Sequence, residues 1–259
     1  MTADVTSGAW ASWAATDAGA VRSGNEDTFI DRPDFGLWAV ADGAGGHQHG
    51  EAASGLLKQV LERLEGVAPE DLVAEVRSGV SQAHRALRAR AETEARQLGG
   101  SVTIASTLVV LLADDLHFAC LWAGDSRAYH LRDGALSRLT RDHSLVQDLV
   151  DAGELAQADA ESHPHANVIT RAIGANGPDI ELDKVTGRAE PGDRFLLCSD
   201  GLTRALDEAA IAPLAGGHDP AQALIAAALD AGARDNVTAV VLEFRALDED
   251  WTVLSRPGA

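Results

Sequence analysis

The stretch Leu37–Ser54, LWAVADGAGGHQHGEAAS, decides the fold of this chain. An apolar run ends abruptly at Asp42, passes through a glycine-rich turn, and leads into a helix-like segment that begins near His49. An apolar run bounded by glycines is typical of a strand that is buried on both faces. The sequence therefore predicts that a core strand carries the carboxylate of Asp42 to one edge of a sheet.

The same arrangement recurs at three further places in the chain. Apolar runs lead into Asp125 and Asp200, and another apolar run begins directly after Asp235. A lone Asp-Gly pair is most simply a turn. If four such aspartates converge, however, each like-charged pair at about 6 Å costs roughly 3 kcal/mol at an effective dielectric of about 20. Such repulsion requires either protonation or bound cations. Ligands that are all oxygen favour magnesium or manganese over zinc.

Composition sets limits on the classes of function. The chain has 259 residues, of which 46% are hydrophobic and 24% charged, and no linker-like segment divides it, so we expect a single domain over residues 1–259. The net charge of −19 argues against a nucleic-acid or anionic-membrane partner. Cys120 and Cys198 lie within apolar runs, which favours buried, reduced thiols. With no signal peptide and no apolar stretch long enough to cross a membrane, we expect a cytoplasmic protein.

The order of the periodic segments predicts an α/β sandwich with mainly antiparallel sheets inside and helix pairs outside. Helical periodicity covers residues 49–64 and 69–98, and the double glycine that follows ends the second helix. A meander of three or four strands follows over residues 103–140. Two further helices, at about 207–214 and 220–231, precede a closing strand. An irregular insertion at about 142–168 suits a lid, and the tail 247–259 is expected to be peripheral.

Several polar residues have competing interpretations. The loop that contains Arg22, Asn25, Glu26 and Asp27 precedes the strand ending in Asp42, so it can return to the same site, although clustered polar residues usually mark only a solvated loop. Asp133-Gly134 predicts an ordinary two-residue hairpin turn. The histidines have weak claims to chemistry. His84 is expected at a helix surface or at the edge of the core. His143, His163 and His165 are weak metal candidates, because they have no cysteine partners and no regular spacing.

Taken together, seven segments resemble the metal-dependent protein phosphatases, the type 2C serine/threonine phosphatases, and specifically their compact bacterial members. The segments follow the family's order and spacing from about residue 10 to residue 245. They are DAGAVRSGNED (17–27), VADGAGGHQHGEAAS (40–54), AGDSRAYHLRDG (123–134), LTRDHS (139–144), HPHANVITRAIG (163–174), FLLCSDGLT (195–203) and ARDNVTAVV (233–241). The resemblance implies a four-layer α/β/β/α sandwich, in agreement with the segment order.

The resemblance also implies roles for individual residues. Asp42 would bridge two divalent ions, manganese or magnesium, and the carbonyl of Gly43 would help to hold one of them. Arg22 would bind the substrate phosphate. The remaining matches are the carboxylates of the second ion (Asp200 and Asp235), the aspartate that joins Asp200 at a third ion (Asp125), the acidic pair that steadies bound waters (Glu26 and Asp27), and the neighbour of the last ligand (Asn236). The insertion 142–168 matches the family's mobile flap.

The implied reaction is hydrolysis of phosphoserine and phosphothreonine in proteins by a hydroxide that bridges two ions roughly 3.5–4 Å apart. A permanently charged, planar guanidinium at Arg22 suits phosphate oxygens. The implied partners are phosphorylated proteins and a bacterial Ser/Thr kinase whose action the phosphatase opposes. A monomer is the default state of such a domain.

Three departures from the family pattern concern residues near the expected site. Ala44 stands where many animal members have a histidine proposed as the general acid, so the leaving-group proton would come from bound water or from His47. The segment Ala105–Thr107 replaces a common Gly-Thr-Thr, which we expect to affect packing only. Ala166 stands where an arginine is frequent, so contacts between flap and substrate would differ.

Two other classes of function remain open at this point. One is a catalytically silent relative that binds phosphoprotein without turnover, although Asp42, Asp200 and Asp235 are all present. The other is a protein that binds a structural ion, which fits less well with Arg22. Within the phosphatase class, the chain could also serve one small regulatory protein as its dedicated substrate.

Overall fold

A computed structural model describes residues 8–46, 48–64, 66–160, 162–175 and 177–246. The strands are β1 (Gly8–Asp17), β2 (Asp27–Arg32), β3 (Leu37–Ala44), β4 (Ala105–Ser106), β5 (Leu108–Asp114), β6 (His117–Ala123), β7 (Arg127–Arg132), β8 (Ala135–Arg138), β9 (Asp183–Arg188), β10 (Arg194–Cys198) and β11 (Val237–Ala246). The helices are α1 (Gln48–Glu62), α2 (Pro69–Leu98), α3 (Leu145–Asp151), α4 (Asp200–Ala205), α5 (Glu208–Ala215) and α6 (Pro220–Asp230). Single 3-10 turns cover Pro33–Phe35 and Gln157–Asp159.

The strands form two sheets in which the paired strands are antiparallel. One sheet has the order β1-β11-β10-β7-β8, and the other has the order β2-β3-β5-β6-β9, with the short strand β4 paired to β3. Strand β3 is the buried centre that its sequence predicts, because Leu37 to Ala41 are all buried. The expected α/β class with mainly antiparallel sheets is confirmed.

The predicted meander over residues 103–140 is wrong in one respect. Strands β5 and β6 form a hairpin in one sheet, whereas β7 and β8 form a hairpin in the other. The chain passes between the sheets through Gly124, Asp125 and Ser126, and Gly124 has a φ of 110°. Alternating apolar residues look the same on either side of this crossing, so periodicity did not reveal it.

Three apolar layers hold the molecule together. The first lies between the α1–α2 pair and the β3 sheet, the second lies between the two sheets, and the third lies between the β11 sheet and helices α4 to α6. In the middle layer, the Trp10 ring lies 5.6 Å from the ring of Trp38 and 5.0 Å from that of Phe244. This layering gives the four-layer α/β/β/α arrangement.

The two long helices on the β3 side agree with their predicted limits. Helix α2 begins at Pro69, where the missing N–H costs nothing, and ends at Gly99, whose φ of 70° is the left-handed value that glycine favours. His84, expected at a helix surface or core edge, is fully buried. Its ring nitrogens contact the backbone N–H of Gly174 at 3.0 Å and the carbonyl of Gly177 at 3.2 Å.

The C-terminal part of the chain differs from the prediction at one helix. Asp200, predicted as the end of a strand, is the first residue of helix α4, which the sequence analysis missed because it has only six residues. Helices α5 and α6 agree with their predicted positions to within about one residue. None of the described helices is both long and apolar enough to span a membrane.

Candidate active site

Strand register brings the predicted aspartates to one end of the sandwich. Asp27 at the start of β2 pairs with Asp42 near the end of β3. The end of β6 leads to Asp125, the end of β10 leads to Asp200, and the start of β11 follows Asp235. Because neighbouring strands are antiparallel, all of these ends lie at the same edge of the two sheets. The sequence prediction of convergence is supported by this topology and by the mutual effects on pKa described below.

The backbone of Asp42 is held by a group of hydroxyls from the neighbouring strand. Its N–H donates to Thr107 Oγ1 at 3.1 Å, and its carbonyl accepts from Ser106 Oγ at 2.9 Å and from the Thr107 N–H at 2.8 Å. Thr107 Oγ1 also lies 2.7 Å from Ser126 Oγ. The two hydroxyl positions of the Gly-Thr-Thr pattern are kept here as Ser106 and Thr107, and they fix the position of Asp42; the effect of the departure itself stays a prediction.

Gly43 is required by close approach between two backbone segments. A Cβ at this position would lie 2.2 Å from the carbonyl oxygen of Gly50 and 2.8 Å from that of Glu26. A Cβ at Gly50 would lie 1.9 Å from Glu26 Oε2. The glycines therefore let the first turn of α1 and the Glu26 side chain pack directly against the end of β3.

Asp27 lies beneath the acidic edge in a nearly dry environment. Its Oδ2 accepts hydrogen bonds from Ser199 Oγ and Thr238 Oγ1, both at 2.7 Å, while its Oδ1 is buried without a partner. Burial raises the pKa of Asp27 to about 7, against the lowering effect of the two hydroxyls. Asp200 and Asp235 raise it further. Ser199 and Thr238 were missed from the sequence, where they look like ordinary strand-end residues.

Asp42, Asp125 and Asp200 also resist ionisation. Removal from water raises the pKa of Asp42 well above the ordinary aspartate value, and the charges of Asp27, Asp200, Asp125 and Asp235 raise it further. Burial raises the pKa of Asp125 to about 7, with Asp200 as the next cause. Burial also raises the pKa of Asp200, in opposition to nearby Arg204. A cluster in which each carboxylate disfavours the charge of the others gains free energy from any cation that enters it.

Two arginines neutralise part of this cluster. Arg22 Nη2 lies 2.9 Å from Asp235 Oδ2, and Arg204 Nη2 lies 2.5 Å from Asp200 Oδ2. The predicted Arg22 thus reaches the acidic edge, whereas Arg204 was missed because the helix that places it one turn after Asp200 was not recognised. Across the described residues, no group of three or more histidine, cysteine, aspartate or glutamate side chains is arranged so that it could hold a metal ion as it stands.

The donor set nevertheless fits hard divalent ions. The carboxylates supply only oxygen, and buried Asp27 Oδ1 and Asp125 Oδ1 lack hydrogen-bond partners. Such unpartnered oxygens are costly unless a cation or water reaches them. Oxygen-only donors of this charge suit Mg²⁺ or Mn²⁺ rather than a thiophilic metal.

Asn236 ties the polar loop of residues 18–26 to strand β11. Its Nδ2 donates to the carbonyls of Ala18 and Gly24, both at 2.9 Å, and its Oδ1 accepts from the N–H of Glu26 at 2.8 Å. Its own N–H donates to Asp235 Oδ1 at 2.9 Å. This one buried side chain therefore fixes the loop that carries Arg22 and Glu26 next to the acidic edge.

We expect Asn236→Ala to lower the free energy of unfolding by about 2–4 kcal/mol, because the backbone groups of Ala18, Gly24 and Glu26 lose the buried side chain that pairs with them. Urea denaturation of metal-free protein measures this change. Asn167→Ala, at an exposed position, is the matched control and should stay within about 0.5 kcal/mol of the wild type. Equal midpoints for both variants would contradict the role assigned to Asn236.

His143 has a structural role that its sequence did not reveal. Its Nδ1 accepts from the N–H of Gly124 at 3.1 Å, its Nε2 lies 3.2 Å from Asp183 Oδ2, and its ring stacks on Trp122. Burial lowers the pKa of His143, so the neutral ring is favoured. The residue anchors the start of the flap to the turn that presents Asp125. His163 and His165 lie farther along the flap with ring centres 5.6 Å apart.

We expect His143→Phe to cost about 2 kcal/mol of stability at pH 8, since it keeps the ring but loses both hydrogen bonds. The folded-state pKa is below the unfolded value of about 6.5, so this histidine's stabilising effect is lost as pH falls below about 6.5. The difference between variant and wild type should therefore narrow in acid. His165→Phe, at an exposed site, is the control, and a difference that does not vary with pH would contradict the neutral assignment.

Two clefts meet above the acidic edge. One, of about 650 Å³, lies between the flap and helices α4 and α5, and its walls include Asp125, Arg127 and Arg138. The other, of about 640 Å³, contains Arg22, Arg234 and Asp235. Arg204 and Asn167 line both clefts. A phosphorylated side chain in the second cleft would thus lie beside Arg22, with room for flanking residues under the flap.

An ion-pair network that the sequence analysis missed supports the floor of the flap cleft. Asp142 is buried, and its carboxylate accepts from Arg127 Nε at 3.1 Å and Nη2 at 2.8 Å. Arg138 contacts the same carboxylate from its other side. Arg127 and Asp142 are 15 residues apart in the sequence and meet only once the hairpin is folded, so no local pattern indicates their contact.

The fold and this edge define a class: a four-layer α/β/β/α sandwich with a carboxylate cluster at one end of its sheets. Comparison with known proteins gives the family. The "Protein phosphatase 2C" family model matches residues 22–233, so the chain belongs to the protein phosphatase 2C family.

Individual relatives agree with this assignment. A serine/threonine protein phosphatase PstP of Mycobacterium tuberculosis is 37% identical over 89% of this chain, but the chain spans only 44% of that relative's length. The serine/threonine phosphatase stp of Listeria monocytogenes is 32% identical over 88% of this chain and 93% of its own. Among solved structures, the catalytic domain of PstP in complex with two manganese ions is 33% identical with a TM-score of 0.81, covering 92% of this chain and 99% of that one.

A further solved structure is also similar to this chain. PppA of Pseudomonas aeruginosa, described as a key regulatory component of T6SS, is 39% identical with a TM-score of 0.81, and the match covers 92% of this chain and 99% of that one.

Proposed function

We propose that this chain is a metal-dependent protein phosphatase that hydrolyses phosphoserine and phosphothreonine. The observation that carries the proposal is the cluster of mutually repelling carboxylates at one sheet edge, beside a cleft that contains Arg22. Family membership and relatives named serine/threonine phosphatases support the same reaction.

The residues proposed to hold two manganese or magnesium ions are those of the acidic edge. Asp42 and the Gly43 carbonyl end β3, Asp200 begins α4 and Asp235 precedes β11, with Glu26 and Asp27 behind them. Asp125 joins Asp200 as the proposed contact of a further ion. When bound, such ions lower the pKa of a water and neutralise phosphate oxygens.

Arg22 can orient the substrate phosphate, and the buried cysteines are unavailable as nucleophiles. Arg22 lies at the mouth of the second cleft with about half of its side chain exposed, so it can turn its guanidinium to phosphate oxygens while Asp235 stays beside it. Both cysteines are fully buried, and burial raises the pKa of Cys198 to about 12. Neither is available as a thiolate nucleophile, and we propose direct attack by water.

The side chains near the acidic edge bear on the source of the leaving-group proton. Ala44 carries no proton, and His47, the side-chain candidate named from the sequence, lies outside the described residues. Among the described acids, Asp125, whose pKa burial raises to about 7, lines the flap cleft, whereas Arg22 lines the other cleft. We propose bound water at the acidic edge or His47 as the source of this proton.

The biological setting follows from the proposed reaction. A protein phosphatase of this type reverses a Ser/Thr kinase, so we propose phosphorylated proteins as substrates and a bacterial Ser/Thr kinase as the opposing enzyme. Buried, unpaired Cys120 and Cys198 suit a reducing compartment, which supports a cytoplasmic location. We propose a monomer, and the single phosphatase domain includes the flap over about residues 142–168. The tail 247–259 lies outside the described residues.

The test of substrate class uses three peptides of one sequence that carry phosphothreonine, phosphoserine or phosphotyrosine. With saturating Mn²⁺, release of phosphate from the first two, but at least about tenfold less from phosphotyrosine, would support the proposal. Binding of the peptides without phosphate release would favour the silent, phosphoprotein-binding alternative. Turnover of a single phosphoprotein and of no peptide would favour the dedicated phosphatase.

A further inference from the structure

Arg204 occupies a position that the proposed reaction does not explain. It lies on α4 one turn after Asp200, and its Nη2 is 2.5 Å from Asp200 Oδ2 and 3.9 Å from Asp125 Oδ2. An acid followed by a base four residues later is the favourable order on a helix. A single guanidinium therefore faces two carboxylates that come from different strand ends.

The positive charge of Arg204 compensates part of the negative charge of Asp125 and Asp200. The Asp125 side chain is 7% exposed and that of Asp200 is 14% exposed, while Asp125 Oδ1 has no hydrogen-bond partner among the described residues. The neighbouring arginines, Arg127 and Arg138, are both engaged with Asp142. Among the described residues, Arg204 is thus the arginine that contacts both Asp125 and Asp200, and it offsets part of the repulsion between them.

Arg204 is also free to leave. Its side chain is 36% exposed and forms part of the wall that the two clefts share, so its guanidinium can turn into solvent without opening a buried cavity. A partly exposed ion pair contributes only modestly to stability. A divalent ion between the same two carboxylates would interact with both oxygens at shorter range and with twice the charge.

We propose that Arg204 is a built-in counter-cation for the Asp125–Asp200 pair, which a divalent ion must displace in order to bind between these carboxylates. Arg204 is a positioning residue that lowers the affinity of this edge for Mn²⁺ and modestly stabilises the ion-free protein. The proposal rests on the proposed function only in taking the acidic edge as an ion site, and it does not depend on turnover.

The test is calorimetric titration of Mn²⁺ into metal-stripped wild type, Arg204→Met and Arg204→Lys. Removal of the competing charge should lower the Kd of the affected Mn²⁺ site by roughly tenfold in Arg204→Met. Arg204→Lys keeps the charge and should stay within about threefold of the wild type. Arg141→Met, which removes a similarly exposed arginine just before the flap, controls for the change in net charge.

A double-mutant cycle locates the effect. The tightening caused by Arg204→Met should vanish when Asp125→Asn is already present, because the carboxylate pair no longer exists. Metal-free Arg204→Met should also melt at a lower temperature than the wild type, and saturating Mn²⁺ should remove that difference. If Arg204→Met fails to fold, Arg204→Gln, which also removes the charge but keeps a polar side chain, takes its place in the cycle with the same expected tightening and the same loss of that tightening in the Asp125→Asn background.

Unchanged or weaker Mn²⁺ binding in Arg204→Met, or equal tightening in Arg141→Met, would overturn the role of Arg204. These outcomes are distinct from failure of the proposed function. In that case wild-type protein would release no phosphate from phosphothreonine peptide at saturating Mn²⁺, whatever the affinities are.

Discussion

Asp42→Asn should reduce phosphate release by roughly three orders of magnitude or more and should weaken Mn²⁺ binding. Asp42 lies at the centre of the cluster, since the charges of four other aspartates act on it. The amide keeps the size of the side chain and leaves the backbone contacts with Ser106 and Thr107 in place. The expected loss is therefore one of charge and not of fold.

The same substitution should stabilise the metal-free protein. Burial and neighbouring carboxylates raise the pKa of Asp42, so above the unfolded pKa of about 3.9 the folded state either holds an extra proton or bears the repulsion. Asp42→Asn should accordingly raise the free energy of unfolding at pH 7 by on the order of 1–2 kcal/mol. This gain should shrink as pH falls toward 4, where the carboxylate is protonated in both states.

Asp133→Asn is the matched control, because it makes the same chemical change in the hairpin turn between β7 and β8. Asp133 has a φ of 52°, which asparagine also adopts readily. Activity and Mn²⁺ affinity should be unchanged in this variant. An Asp42→Asn protein that keeps full turnover would show that Asp42 is not at the reactive centre.

Arg22→Lys should lower kcat/KM by roughly 10- to 100-fold on phosphothreonine peptide. Lysine retains the positive charge near Asp235 but lacks the planar pair of N–H donors that fits two phosphate oxygens. Inhibition by inorganic phosphate should weaken in parallel, because product and substrate share the same contact. Mn²⁺ binding should change little.

Arg141→Lys tests whether the effect is specific to the cleft. Arg141 has a similar side-chain exposure of 43%, against 49% for Arg22, but pairs with Asp148 on the flap. It should leave kcat/KM and phosphate inhibition within about twofold of the wild type. Equal effects of the two substitutions would remove Arg22 from phosphate recognition.

Periodicity and turn chemistry predicted much of the fold. The apolar spacing over residues 69–98 gave helix α2 with its limits, and Asp133-Gly134 forms the expected hairpin turn, with positive φ at both residues. The passage of the chain from one sheet to the other after β6 was missed because a strand's own pattern does not say which sheet it joins. Contacts across the sequence decide that choice.

The candidate site likewise contains some residues that the sequence revealed and others that it did not. Aspartates at strand ends are visible in the sequence because an ionised group at the end of an apolar run is conspicuous. The hydroxyls of Ser199 and Thr238 beneath Asp27 are not visible, since either residue alone is ordinary and only the pairing of β10 with β11 brings them together. Arg204 was overlooked for a different reason, because its meaning depends on a short helix that propensity does not reveal.

The most direct test of the account is phosphate release from a phosphothreonine peptide by metal-stripped protein while Mn²⁺ is titrated in. We predict no release without metal and release that rises in step with Mn²⁺ bound to the acidic edge, as followed by calorimetry on the same sample. Release that is equal with and without a chelator, or full occupancy by Mn²⁺ with no release, would contradict the assignment of the carboxylate edge as a metal-dependent phosphatase centre.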